Sequence, residues 1–172
     1  YPMILEIHGG PFAMYGPYFS SEIQRFAAEG YVTVYVNPRG STGYGGDFAM
    51  AIDKAYPGYD YEDLMSVVDD LIARDYVSED RLFVTGGSGG GILTAWIVGK
   101  TDRFAAAASV KPVINWMTMA LSADIAQFVR RHWIREDPWT NPDAFLDLSP
   151  IMLIENVVTP TLVMVGEEDW RT

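Results

Sequence analysis

The run Phe83-Val84-Thr85-Gly86-Gly87-Ser88-Gly89-Gly90-Gly91 decides the fold of this chain. Its first residues are apolar or β-branched and predict a strand, and Gly90–Gly99 predicts a helix. Residues 86–90 fit the pattern G-x-S-x-G, which puts a serine on a sharp turn between a strand and a helix. Such a turn needs small neighbours, because Cβ atoms there would clash with the adjoining backbone. The sequence therefore predicts strand, turn and helix, with Ser88 at the apex.

Length and composition fit one globular domain with a sizeable core, because the chain has 172 residues and 49% of them are hydrophobic. The net charge of −11 argues against a nucleic-acid partner. No apolar run reaches about 18 residues, so neither a transmembrane helix nor a membrane partner is predicted. Cysteine is absent, which excludes disulfides and thiol catalysis. The compartment stays open: cytoplasmic is the default, and secreted or periplasmic locations are compatible with a chain that starts at Tyr1.

Alternating strands and helices indicate an α/β protein with a mostly parallel sheet covered by helices on both faces. Strands are predicted at Met3–Ile7, Tyr31–Val36, Arg81–Thr85, Ala105–Ser109 and Thr161–Val165. Helices are predicted at Ser21–Glu29, Tyr61–Arg74, Gly90–Gly99, Ser122–Arg135 and Pro142–Leu148. In such sheets the chemistry lies beyond the carboxyl ends of the strands. The polar and glycine-rich motifs of this chain all fall at those ends.

Four motifs in order resemble the catalytic domain of prolyl oligopeptidase-family serine peptidases, most closely the acylaminoacyl-peptidase and dipeptidyl-peptidase-like branch. They are His8–Pro11, Asn37–Gly45, Gly86–Gly90 and Gly166–Thr172. The resemblance spans nearly the whole chain. It implies a three-layer α/β-hydrolase fold that is incomplete at both ends. The spatial strand order would be second, first, third, fourth and fifth, all parallel.

The resemblance also implies roles for individual residues. Ser88 would be the nucleophile and Asp169 the acid that orients the catalytic histidine. The backbone N–H groups of Gly89 and Gly10 would form the oxyanion hole. The expected activity is hydrolysis of peptide or acyl-amino-acid bonds of short peptides through an acyl-Ser88 intermediate. This chemistry needs no metal and no organic cofactor.

Three further residues are candidates for substrate binding, each with a structural alternative. Trp116 matches a stretch that lines the primary substrate pocket in relatives. Arg39 could bind a substrate carboxylate or carbonyl, or form an ion pair that holds its own loop. Tyr44 could stack in the cleft or pack the loop. Trp96, on the helix after Ser88, is interpreted as a core residue.

The catalytic histidine is the main departure from the family pattern. His8 and His132 are the two histidines of the chain, and both precede Asp169, whereas the family places its base after the acid. We expect a histidine-bearing segment after Thr172 and a β-propeller before Tyr1. His132 stands beside two arginines, which disfavour an imidazolium, so a surface or packing role is expected. His8 either lines the site or supports its loop. The two histidines, Glu167, Glu168 and Asp169 lack metal-ligand spacing.

Rival interpretations remain at this point. A carboxylesterase-like hydrolase would use the same catalytic groups. A catalytically incomplete fragment would have no activity of its own. A phosphate-binding loop at Gly86–Gly91 is rejected, because Ile92 and Leu93 stand where a Walker loop has Lys and Ser or Thr. Open sheet edges leave a homo-oligomer possible.

Overall fold

The sheet runs through the centre of the protein, and the computed structural model describes residues 1–172. Five parallel strands lie in the spatial order β2-β1-β3-β4-β5, which confirms the predicted order. The strands are β1 (Met3–Ile7), β2 (Val32–Tyr35), β3 (Leu82–Gly87), β4 (Ala106–Val110) and β5 (Thr161–Met164). Each lies within two residues of its predicted bounds. The parallel sheet with helices is the α/β-hydrolase architecture.

The helices alternate with these strands along the chain. They are α1 (Ser21–Ala28), α2 (Gly46–Met50), α3 (Asp60–Ile72), α4 (Gly89–Lys100), α5 (Trp116–Ser122), α6 (Ala126–Phe128) and α7 (Asp143–Leu146). A π-helical turn spans Val129–Trp133, and 3₁₀ segments span Glu79–Arg81 and Pro150–Asn156. No helix combines the length and apolar character needed to cross a membrane.

The main core lies between one face of the sheet and helices α3 and α4. Met3, Leu5 and Ile7 alternate along β1 and belong to a single cluster of buried side chains. Ile4 points to the opposite face and is buried outside that cluster, as is Ile23 of α1. Helices therefore cover both faces, as the sequence predicts.

Helix α4 begins directly after Ser88 and is the most buried helix of the protein. Ten of its twelve residues are buried, because it crosses the centre of the sheet. Trp96 is 9% exposed, which confirms its interpretation as a core residue, and the Lys100 ammonium lies 4.8 Å from the centre of its ring. Burial on all sides explains why the sequence of α4 is apolar all round.

The helix predicted over Ser122–Arg135 is wrong. Asn115 starts a helix earlier, because its side-chain Oδ1 accepts hydrogen bonds from the backbone N–H groups of Met117 and Thr118. That helix, α5, ends at Ser122, and Ala123 is extended. The chain then makes only the short α6 and the π-helical turn, in which Ile134 N–H donates to Val129 O. Apolar spacing alone did not reveal this break.

Candidate active site

Ser88 lies in a strained backbone conformation at the carboxyl end of β3. Its φ of +57° and ψ of −117° fall outside the regions that L-residues normally occupy. The turn is held from both sides: Ser88 N–H donates to Val110 O at 2.9 Å, and Ser88 O accepts from Ile92 N–H at 2.9 Å. A non-glycine residue in such a conformation persists only where its surroundings enforce it, and it marks a candidate functional site.

The glycines around Ser88 are required by backbone packing. A Cβ on Gly90 would lie 2.0 Å from Ile7 O, and one on Gly86 would lie 2.6 Å from the same atom. A Cβ on Gly91 would lie 2.6 Å from Val110 O. The end of β1, the turn and the start of α4 thus touch backbone to backbone. This close approach fixes the first turn of α4 against the sheet.

The predicted oxyanion residues Gly10 and Gly89 lie against each other. A Cβ on Gly89 would meet Gly10 O at 2.8 Å and Gly10 C at 3.0 Å. Gly10 has a φ of +116°, which turns the loop after β1 toward the start of α4. Gly89 is the first residue of α4, so its N–H is one of the helix N-terminal donors that favour negative charge.

His8 supports this loop from inside the protein. Its Nδ1–H donates to Gly9 O at 2.7 Å, and its Nε2 lies 2.9 Å from Ser41 Oγ. The Ser41 hydroxyl is buried and lies 2.7 Å from Pro38 O. Burial lowers the pKa of His8 below its ordinary value. These contacts connect the loop after β1 to the loop after β2.

Asp169 lies in the loop after β5. Like Ser88 it follows the carboxyl end of its strand, and β5 lies two strands away from β3 in the sheet. Its Oδ1 accepts from the N–H groups of Arg171 at 3.1 Å and Thr172 at 3.3 Å. The Arg171 N–H is the main reason why the pKa of Asp169 lies below its ordinary value, and Lys111 adds a favourable charge. Asp169 is therefore ionised at neutral pH.

Two clefts open at the carboxyl ends of the strands. One of about 430 Å³ is bordered by Ser88, Gly9 and Lys111. The other, of about 590 Å³ and mostly apolar, is bordered by Asp169 and Asn115. Lys111, which follows β4, borders the first cleft, and Pro112 borders the second.

Glu6 and Tyr15 line the Ser88 cleft, and the pKa of each is shifted. Burial is the main reason why the pKa of Glu6 rises to about 8, and the charge of Glu22 adds to it. The Tyr15 side chain partly offsets this rise. The pKa of Tyr15 is itself raised, mainly by burial.

Arg39 and Tyr44 are both engaged in the loop after β2. The Arg39 guanidinium binds Asp63 through Nε at 2.7 Å and NH2 at 2.6 Å, and the Arg39 backbone N–H donates to the same carboxylate at 3.0 Å. Tyr44 is 57% exposed, and its hydroxyl accepts from Asn37 Nδ2 at 2.9 Å. Their predicted roles in substrate binding stay predictions.

Trp116 is buried at the start of α5. It is 4% exposed, its ring stacks on Trp133 with 5.9 Å between ring centres, and its backbone N–H donates to Ser149 Oγ at 2.9 Å. The neighbouring Asn115 borders the Asp169 cleft. Substrate binding by Trp116 stays a prediction.

His132 is exposed in the π-helical turn, with its ring 5.6 Å from that of Phe128. This is the surface position expected for it. No group of three or more His, Asp and Glu residues is arranged to hold a metal ion.

Sequence reasoning missed Tyr56 and Asp60. Tyr56 is 1% exposed, and its hydroxyl donates to Gly89 O at 2.7 Å. Asp60 is fully buried; its Oδ1 accepts from Gly58 and Tyr61 N–H groups, whereas its Oδ2 has no hydrogen-bond partner. Burial raises the pKa of Asp60 to about 6. No local pattern signals the contact of Tyr56, since Tyr56 and Gly89 are 33 residues apart.

Comparisons with known proteins agree on one family. The prolyl oligopeptidase family matches residues 17–172. An uncharacterized peptidase, YuxL, of Bacillus subtilis is 45% identical over 172 residues, which cover 99% of this chain and 26% of that protein. An acylamino-acid-releasing enzyme of Arabidopsis thaliana is 33% identical over 99% of this chain and 23% of its own length.

Solved structures similar to this chain also include acylaminoacyl peptidases. The uncomplexed acylaminoacyl peptidase of Pyrococcus horikoshii superimposes with a TM-score of 0.93 and 34% identity, covering 99% of this chain and 28% of that one. A further structure is an acylaminoacyl peptidase in complex with Z-Gly-Gly-Phe-chloromethyl ketone, with a TM-score of 0.92. The chain thus spans about a quarter of the length of its relatives.

Proposed function

This chain belongs to the prolyl oligopeptidase family, and from that premise we propose that it carries the nucleophile of a serine peptidase. The protein would hydrolyse peptide or acyl-amino-acid bonds of short peptides through an acyl-Ser88 intermediate. The relatives named acylamino-acid-releasing enzyme favour an acylated N-terminal residue as the substrate class.

One observation carries the proposal. Ser88 is the residue at which the chain accepts a left-handed conformation between β3 and α4, and Gly89 follows it in contact with Gly10. A serine presented on such a turn, next to a free helix N-terminus and a second glycine loop, has the surroundings required for acyl transfer.

The proposed reaction begins when Ser88 Oγ attacks the carbonyl carbon of the substrate and passes its proton to a histidine. The negative charge that develops on the carbonyl oxygen is held by the N–H groups of Gly89 and Gly10. The tetrahedral intermediate then expels the amine, which takes the proton from the imidazolium. Water then takes the place of the amine: it attacks the acyl carbon and passes a proton to the histidine. The second tetrahedral intermediate expels Ser88 Oγ, which takes that proton back, and the acid is released.

Asp169 is proposed to orient that histidine and to stabilise its charged form. The low pKa of its carboxyl group suits this role, because the aspartate of a triad must stay ionised. Following the order of the family, we propose that the histidine lies after Thr172 in the sequence. His132 is not proposed as the base.

Active-site labelling of the whole protein tests this proposal. A fluorophosphonate should add one equivalent of mass at Ser88, and Ser88→Ala should abolish both labelling and turnover without changing the melting temperature. Ser66→Ala, on helix α3, is the control and should label normally. Labelling that survives Ser88→Ala would disprove the assignment.

The bond that is cleaved is tested separately. We expect N-acetyl-amino-acid anilides to be hydrolysed, and a short-chain ester to be hydrolysed as well, because esters react more readily than amides. Turnover of the ester alone would assign the protein to the carboxylesterase-like alternative. Peptidase activity is supported by anilide hydrolysis that Ser88→Ala removes.

A further inference from the structure

Three consecutive carbonyl groups at the start of α4 each accept a hydrogen bond from a buried side-chain hydroxyl. Tyr56 donates to Gly89 O at 2.7 Å. Thr94 donates to Gly90 O at 2.8 Å, and Ser109 donates to Gly91 O at 2.8 Å. The tyrosine bond is the one made to the residue that directly follows Ser88.

Tyr56 differs from the other two donors in what its hydroxyl touches. The space beside the Cα of Gly89 is filled by Tyr56 Oη and Gly10 O, which would lie 2.9 Å and 2.8 Å from an added Cβ. The hydroxyl therefore stands at the contact between the two glycines whose N–H groups are the proposed oxyanion donors. Neither Thr94 nor Ser109 is among the atoms nearest to an added Cβ on Gly89.

The ring of Tyr56 is fixed by its neighbours. It is 1% exposed and meets Trp133 edge to face, with 5.9 Å between ring centres. Trp133 also lies 5.5 Å from the ring of Phe12, two residues after Gly10. One tryptophan thus packs against the residue that holds Gly89 and against the loop that holds Gly10. Burial raises the pKa of Tyr56 well above its ordinary value, so the hydroxyl remains a neutral donor.

We propose that Tyr56 is a positioning residue of the oxyanion hole. It holds Gly89 O, and through the Gly89 Cα it limits rotation of the adjoining Ser88–Gly89 peptide, which carries the Gly89 N–H. The inference rests on the proposed function of Ser88 and adds a residue to it.

The physical reason is that Gly89 has no side chain that packing could hold. Its orientation depends on bonds to its backbone, and the Tyr56 hydroxyl supplies one from outside the helix. An oxyanion donor is effective only when it lies about 2.7–3.1 Å from the charged oxygen. The Gly89 N–H belongs to the preceding peptide, which the Gly89 Cα joins to the peptide that Tyr56 holds. A change in the Gly89 dihedral angles would therefore move the donor, and this weakens binding of the transition state more than binding of the substrate.

Tyr56→Phe in the whole protein tests the proposal. The variant should fold, because the phenyl ring fills the same space. Its melting temperature should be lower, because the hydrogen bond to Gly89 O is lost. We expect kcat on an N-acetyl-amino-acid anilide to fall about tenfold, a fraction of the loss caused by deleting a donor outright. KM should stay within about twofold. The inhibition constant of an N-acyl amino-boronic acid, whose tetrahedral adduct places an oxygen in the hole, should rise about tenfold.

Thr94→Val and Ser109→Ala are the matched controls. Each removes a buried hydroxyl that donates to one of the next two carbonyls of the helix, Gly90 O for Thr94 and Gly91 O for Ser109. Each variant should therefore have a lower melting temperature, with kcat and boronate inhibition unchanged. An equal loss of activity in these variants would show that only stability is at stake and would overturn the inference. Wild-type kcat and inhibition in Tyr56→Phe would overturn it as well.

The two proposals fail in different ways. A wild-type protein that neither hydrolyses the anilide nor binds the boronate would overturn the function proposed for Ser88, and the role of Tyr56 with it. A fully active wild type whose Tyr56→Phe variant is equally active would overturn the role of Tyr56 alone.

Discussion

The turn that carries Ser88 and the loop that carries Asp169 both follow parallel strands, but they are built differently. Strand β3 lies in the centre of the sheet and alternates buried and half-buried residues. Strand β5 lies at the edge, and Leu162, Val163 and Met164 are each about half exposed. The nucleophile is fixed by backbone contacts on several sides, whereas the acid is fixed by hydrogen bonds within its own loop.

This difference shows that the two predicted catalytic residues depend on different forces. The geometry of Ser88 follows from close packing among β1, β3, β4 and α4, which tolerates no added atoms. The ionised state of Asp169 follows from N–H donors two and three residues away. Three experiments compare the two regions, from the largest expected effect to the smallest.

Replacing a glycine in each region should give the largest contrast. In Gly90→Ala the new Cβ would lie 2.0 Å from Ile7 O, and neither backbone can move away. We expect a loss of about 3 kcal/mol or more in the free energy of unfolding, measured in urea. In Gly166→Ala the nearest atom would be 3.7 Å away, so a change within about 0.5 kcal/mol is expected. Similar losses at both sites would contradict the contrast.

Two aspartates should give stability changes of opposite sign. The pKa of Asp60 rises from 3.8 to about 6, so the folded protein holds a proton that the unfolded chain releases, and stability falls as pH rises from about 4 to 6. Asp60→Asn keeps an acceptor for Gly58 and Tyr61. It should therefore raise the free energy of unfolding at pH 7 by about 2 kcal/mol and have little effect below pH 4.

Asp169 behaves in the opposite way, because its pKa lies below 3.8. Its ionised form stabilises the fold above about pH 4, and this contribution disappears as pH falls further. Asp169→Asn should thus lower stability slightly at pH 7. Asp102→Asn, in an exposed loop, is the control and should change the free energy of unfolding at pH 7 by no more than about 0.5 kcal/mol. Unfolding curves between pH 3 and 8 provide the measurement, and a stabilising Asp169→Asn would refute the assignment.

The smallest difference between the two regions is expected in the coupling energies of two ion pairs. Arg39 and Asp63 make two side-chain bonds and a backbone bond, with 34% and 29% of the side chains exposed. Arg171 and Asp124 pair near β5, with 53% and 45% exposed. Double-mutant cycles to alanine should give a coupling of about 1 kcal/mol for the first pair and a smaller coupling for the second. The second should vanish in high salt, and a larger coupling at Arg171 would reverse the comparison.

Prediction from the sequence was correct for elements whose structure is caused by residues that are adjacent in the chain. The β-branched and apolar runs identified all five strands, and the glycines around Ser88 identified the turn, because only glycine permits such close backbone contact. The helix over Ser122–Arg135 failed because apolar spacing cannot show where the chain leaves a helix. The short α2 was missed, since five residues carry little periodic signal.

The sequence alone determined the α/β class, the strand order implied by its family motifs, and the position of Ser88 between β3 and α4. These depend on patterns within short stretches of chain. Only the tertiary structure decided that Gly10 meets Gly89, that Arg39 binds Asp63, and that Tyr56 reaches Gly89 O. The physical reason is that these contacts join residues 24 to 79 positions apart, and their geometry exists only once the strands have been brought together in the sheet.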